Sequence, residues 1–260
     1  MVGHTDVAFP SGGDGETCRG WLYQPQTPGP FPVVVMAHGL GAVKEMRLAA
    51  YAERFSRAGY ACLVFDYRHF GDSDGHPRQV LEVRRQLEDW AAAIAFARRN
   101  PHFRAEQVIL WGTSFGGGHV IASAARDREI AAAIVQCPFT DGIASAWAMD
   151  WRSSLKVTAL ALTDWLRGMA GKEPLMVATA GRRHAAAMMT APDAMDYLSL
   201  VPSGMPFRNE IAARAVLDII RYRPGRMAGR IGCPILFCVC ESDTVAQAQA
   251  AFETFLNKGK

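Results

Sequence analysis

Val108-Ile-Leu-Trp-Gly112-Thr-Ser114-Phe-Gly116-Gly-Gly-His-Val-Ile-Ala-Ser-Ala-Ala125 is the stretch that decides the fold. Apolar residues run into a glycine-rich turn centred on a serine, and an alanine-rich segment of helical length follows. Gly112 to Gly116 reads G-x-S-x-G between a strand and a helix, the setting that makes this short pattern specific. A serine on so tight a bend is held in a strained backbone conformation and needs small neighbours, which Gly112, Gly116, Gly117 and Gly118 supply. The N-terminus of the following helix favours negative charge developing in front of it. Ser114 is therefore the candidate nucleophile.

The flanking sequence repeats the strand-then-helix rhythm. Phe31 to Ala37 is a continuous apolar run that breaks at His38-Gly39-Leu40-Gly41, as expected of a strand buried on both faces of a parallel sheet. Leu48, Tyr51, Ala52 and Phe55 then recur at helical spacing until Gly59, which can adopt a left-handed terminus. Gly20 to Tyr23 and Ala61 to Phe65 read as strands, and Val83, Leu87, Trp90, Ala91 and Ile94 mark a second helix, ended by Asn100-Pro101. A fourth apolar strand, Ala132 to Gln136, stops at Cys137-Pro138. The pattern predicts an α/β fold, a mostly parallel sheet with helices on both faces and chemistry gathered at the carboxyl ends of the strands.

Between about 139 and 220 the rhythm fails. Trp147, Trp151, Leu155, Leu160, Trp165 and Met169 are followed by a methionine- and alanine-rich stretch with no convincing strand, which predicts a helical lid insertion. The expected organisation is a first core part at 1–138, the lid at 139–220 and a second core part at 221–260. In that last part Ile235 to Cys240 reads as a strand, and Phe252, Phe255 and Leu256 mark a helix.

Composition narrows the function. Among 260 residues, 28 Lys and Arg face 25 Asp and Glu, and this net +3 is spread too evenly to favour nucleic acid or a membrane as partner. No metal-ligand spacing or nucleotide motif occurs, so no cofactor and no metal are expected. The six cysteines read as buried thiols in a reducing compartment, and the N-terminus lacks a leader pattern, which together predict a cytoplasmic protein. The expected partner is a small-molecule ester or thioester.

Acyl chemistry at Ser114 requires donors for an oxyanion, and backbone amides supply several kcal/mol without rearranging. The amide of Phe115, just after the serine, and that of Leu40, in the earlier turn, are the candidates for this oxyanion hole. His38 belongs to that turn and reads as scaffold. His119 reads as a packing residue of the helix, and Asp72 and Asp74 as turn residues.

Taken together, His38-Gly-Leu-Gly, Asp66-Tyr-Arg-His-Phe-Gly-Asp-Ser, Gly112-Thr-Ser-Phe-Gly and Glu241-Ser-Asp243 resemble the α/β-hydrolase superfamily in motif order, over nearly the whole length. The second and fourth are similar to its dienelactone-hydrolase-like and prolyl-peptidase-like branch, and more loosely to thioesterases of polyketide pathways. The resemblance implies Ser114 as nucleophile, Asp243 as the acid that orients a histidine, and residues 139–220 as the lid over an acyl pocket. Asp141 holds the alternative acid position used by some relatives.

One departure stands out. The superfamily order is serine, acid, histidine, yet none of the seven histidines follows Asp243. The expectation is that a final strand, its histidine loop and a closing helix are missing, which leaves a sheet edge unpaired and open to another copy of the chain. The function expected is ester or thioester hydrolysis through an acyl-enzyme. The same residues also suit an acyltransferase, or a catalytically impaired hydrolase-derived binding protein. His184 is more readily a solvated helix residue than a partner of Asp141.

Overall fold

In the computed structural model, residues 3–12 and 15–241 are described, together with Glu253 and Leu256. The first elements are β1 (His4–Ser11), β2 (Glu16–Tyr23), β3 (Phe31–Ala37), α1 (Leu48–Arg57), β4 (Ala61–Phe65) and α2 (Val83–Arg99). After these come β5 (Phe103–Thr113), α3 (Phe115–Arg126) and β6 (Ala132–Gln136). β3 shows why the sheet is central. Val33 and Val35 pack with Trp90, Ala93 and Ala97 of α2, while Val34 and Met36 pack on the opposite face with Leu48 and Ala52 of α1. Side chains alternate along a strand, so a strand apolar at nearly every position needs a helix on both sides. Gly59, φ 94°, follows α1 in the left-handed region as its sequence suggests.

The intervening segment contains α4 (Gly142–Ala148), α5 (Trp151–Met169), β7 (Met176–Ala180), β8 (Ala187–Met189), β9 (Ile211–Ala212) and α6 (Ala215–Arg221). The prediction of a wholly helical insertion is thus corrected: a three-stranded sheet in the order β8-β7-β9 lies within it. Strands of five, three and two residues are too short for a period of two to emerge from an alanine- and methionine-rich background. The two ends of the segment are tied together. Gly142 N donates to Tyr222 O at 2.9 Å, Gly225 N to Thr140 O at 2.9 Å, and Arg223 Nε to Asp141 Oδ2 at 2.7 Å.

The chain then returns to the main sheet as β10 (Ile235–Cys238), and the strand order is β1-β2-β4-β3-β5-β6-β10. β3 is parallel to β4 and β5, and β6 to β5 and β10; the β1 and β2 pairings are antiparallel. β1 is absent from the sequence reading because only Phe9 and Ser11 of its eight residues are buried, leaving no apolar run.

The cysteines need a correction as well. Cys18, Cys62 and Cys233 are buried, but Cys238 and Cys240 are exposed and Cys137 is partly so, its Sγ 2.6 Å from that of Cys240. A strand at the sheet margin exposes one face, which an apolar sequence run does not reveal. Asp243 and most of the expected final helix lie outside the described residues. Among those described, no helix is long and apolar enough to cross a membrane.

Candidate active site

Ser114 stands between β5 and α3 with φ 53° and ψ −120°, outside the conformations that L residues ordinarily adopt. Such a backbone costs on the order of 1–3 kcal/mol and persists because its surroundings determine it. Its amide donates to Gln136 O of β6 at 2.9 Å, and its carbonyl accepts from Gly118 N at 3.2 Å and Phe139 N at 2.9 Å. Glycine is required where two turns nest. A Cβ on Gly116 would stand 2.5 Å from His38 O, and one on Gly39 would stand 3.0 Å from Ser114 Cβ and 3.4 Å from its Oγ. The turn at residues 38–41 is therefore pressed against the serine.

Leu40, Ser114 and Phe115 all face a cavity of about 100 Å³. Its far walls come from the inserted segment, with Val157 of α5, Met188 of β8 and Ile219 of α6 among the lining. Among the described residues, no protein group accepts a hydrogen bond from the amide of Leu40 or of Phe115. Two donors thus border the space in front of the serine, and the remaining lining is mainly apolar with Ser145, Ser154, Thr158 and Thr190 among it.

Beneath the 38–41 turn lies a buried cluster of charged and polar groups. Asp66, wholly buried, accepts from Lys44 N at 2.8 Å and from Lys44 Nζ at 2.8 Å, and its Oδ1 is 3.4 Å from His38 Nε2. Lys44 Nζ also reaches Asp72 at 2.5 Å and Glu45 at 2.7 Å. Burial alone raises a carboxyl pKa, but here His38 and Lys44 outweigh it and hold Asp66 below the usual range. The same balance raises Lys44: burial lowers its pKa, and its pairing with Asp66 more than restores it. Carboxylates of Glu45, Asp66 and Asp72 lie within 4.8 Å of one another, a donor set suited to a hard cation, but the ammonium of Lys44 stands among them. Sequence reading missed Lys44, since a single lysine after a glycine turn carries no signal of burial.

Among the described residues, no side chain hydrogen-bonds Ser114 Oγ. His119 is fully buried in α3, with Nδ1 2.9 Å from Tyr222 OH and Nε2 2.9 Å from Gln86 Oε1. Those partners suit a neutral ring, with the tyrosine hydroxyl donating to Nδ1 and Nε2–H donating to the amide oxygen. Burial lowers its pKa to about 3. His184 pairs with Asp150, 2.7 Å from its Oδ1, and not with Asp141. Asp141 caps α4 through Ile143 N and Ala144 N and bonds Arg223. Burial pulls its pKa up, but Arg223 and the cap bring it below the ordinary value.

A mostly parallel sheet flanked by helices, with a strained serine at a strand-to-helix turn, defines the α/β-hydrolase class. The chain belongs to the family described as serine aminopeptidase, S33 (Hydrolase_4), whose model matches residues 28–260. It is 54% identical over 245 residues to the quorum-quenching protein AidA of Acinetobacter baumannii (strain MDR-ZJ06), covering 94% of this chain and 80% of AidA. It is 28% identical over 244 residues to a thiohydrolase of Eupenicillium brefeldianum, covering 90% and 76% of the two chains. The crystal structure of the α/β hydrolase GrgF from Penicillium sp. sh18 superposes with a TM-score of 0.84 at 27% identity, over 98% of this chain and 86% of that one. The protein is accordingly an enzyme of hydrolase type.

Proposed function

We propose that this chain is a serine hydrolase that cleaves a carboxylic ester or thioester through an acyl-enzyme on Ser114. Ser114 Oγ adds to the carbonyl carbon as its proton passes to a base, and the amides of Leu40 and Phe115 receive the oxyanion. Collapse expels the alcohol or thiol, which takes up that proton. Water then repeats the sequence and releases the acid. The single observation that carries this reading is the strained backbone of Ser114 beside two amides without a protein acceptor. The thiohydrolase relative supports a thioester as one substrate form, and the name of AidA, a quorum-quenching protein, supports testing quorum signals that carry an ester or thioester. In this reading Asp243 orients the base.

The test is covalent. A fluorophosphonate probe incubated with the protein should give one adduct, mapped by peptide mass spectrometry to Ser114 and absent in Ser114→Ala. An adduct on a different residue of the wild-type chain, or unchanged labelling of the variant, would overturn the assignment. Competition by short-chain acyl thioesters and acyl esters then ranks the substrate classes.

A further inference from the structure

The helix that walls the cavity also presents a second, unused face. Ser153, Val157, Ala161 and Asp164 of α5 point inward and are buried. Trp151, Leu155, Leu162, Trp165, Leu166 and Met169 point outward with half to two-thirds of their surface exposed. With Thr158, five of these fall at 151, 155, 158, 162, 165 and 169, alternating steps of four and three. That is the narrow seam by which one helix packs along another, and it is separate from the stripe α5 already buries in its own fold.

Area argues in the same direction. Trp147 of α4, four residues before Trp151, is also exposed, at 85%. Counting about 200 Å² for a bare tryptophan, the exposed apolar side chains amount to on the order of 800 Å². The largest apolar patch on a typical monomer is about 300–600 Å². One side of a standard protein interface buries about 800 Å².

Charge and symmetry identify the occupant. Lys156 Nζ is turned back onto His184 O at 2.8 Å, Arg167 onto Glu173 O at 3.2 Å, and the Arg152 guanidinium lies over the Trp151 ring, 5.3 Å from its centroid. Lys156 and Arg167 are thus folded away from the seam and Arg152 lies flat on its first residue, whereas a helix lying on an anionic lipid surface presents its basic groups outward. We propose that two copies of this chain pair through α5, antiparallel about a twofold axis that crosses the seam midway between Thr158 and Leu162. Every seam position then meets another. Trp151 faces Met169 of the partner subunit, Leu155 faces Trp165 of the partner subunit, and Thr158 faces Leu162 of the partner subunit. Such a self-matching patch is what an isologous dimer needs. The pairing also braces the outer wall of the cavity.

Sedimentation equilibrium at concentrations up to about 100 μM tests this. The expected mass is twice 28.3 kDa. Leu155→Glu and Trp165→Lys should each sediment as monomers, and their equimolar mixture should regain the dimer mass. Circular dichroism should match wild type in both, since each substitution is at an exposed position. A wild-type monomer throughout the range overturns the proposal. So does a dimer indifferent to both substitutions, a heterogeneous aggregate, or a monomer that co-pellets with anionic vesicles.

Discussion

At the level of single residues, the site is set by how closely two backbones approach. Gly116 packs against the carbonyls of Ala37 and His38, which a Cβ would reach at 2.9 and 2.5 Å. Those backbone atoms, at the end of β3 and the start of the turn that carries the Leu40 amide, have no flexible end to yield. Gly116→Ala should therefore cost about 1–3 kcal/mol, read from the urea midpoint, and displace the 38–41 turn from the serine. Fluorophosphonate labelling should fall more steeply than stability. A variant as stable and as reactive as wild type would show that the nesting is loose. Ser114 itself was legible in the sequence because a strained turn demands glycines, and glycines can be counted. Lys44 and Asp66 were not. Their burial depends on contacts across 22 residues that no local pattern announces.

Among elements, α2 shows how a charge is kept inside. Asp89, wholly buried on α2, accepts from Arg68 Nε at 2.6 Å, Arg68 N at 3.1 Å and Ser11 Oγ at 2.5 Å. Burial nevertheless pushes its carboxyl above the usual value, and Ser11 and Arg68 only partly counter this. The three residues join β1, the turn after β4, and α2. Removing Asp89 takes from Arg68 its one wholly buried partner and leaves it Glu88 at 3.0 Å and Glu16 at 3.5 Å, so Asp89→Ala should destabilise by about 3 kcal/mol in chemical denaturation. Arg68→Met combined with Asp89→Leu should recover part of that loss. A double variant as weak as or weaker than the single would contradict this account. Strand and helix identities around β3, β4, β5 and β6 were readable because each central strand contains an unbroken apolar run, in β5 only its second half from Val108 to Trp111. The helix partners of those strands leave the same trace. β1, and the short strands β7, β8 and β9, left none, since a half-exposed or three-residue strand has no distinguishing period.

For the molecule as a whole, acid should act through His119. Its folded pKa, about 3, lies below the value of 6.5 expected unfolded, so between these limits the unfolded chain binds a proton that the folded one refuses. Stability is thus at its full value above pH 6.5 and declines as pH falls towards 3, by on the order of 4 kcal/mol over the window. Melting temperatures taken from pH 7 to pH 4.5 should drop in the wild type and stay flatter in His119→Gln. Parallel profiles would place the acid sensitivity elsewhere. The architecture was largely foreseeable, including the interruption after β6. The interior of that interruption was not, because its mixture of short strands and helices is assembled by long-range contacts.

The clasp formed by Thr140, Asp141 and Gly142 with Tyr222, Arg223 and Gly225 bears on how such proteins diversify. It brings the two stems of an excursion of some eighty residues side by side, and the segment beyond packs into the main core through Val157, Val177, Met188 and Ile211. Because Val157, Met188 and Ile219 beyond the clasp line the cavity, changes within the excursion can reshape that space while the bend that seats Ser114 stays as it is.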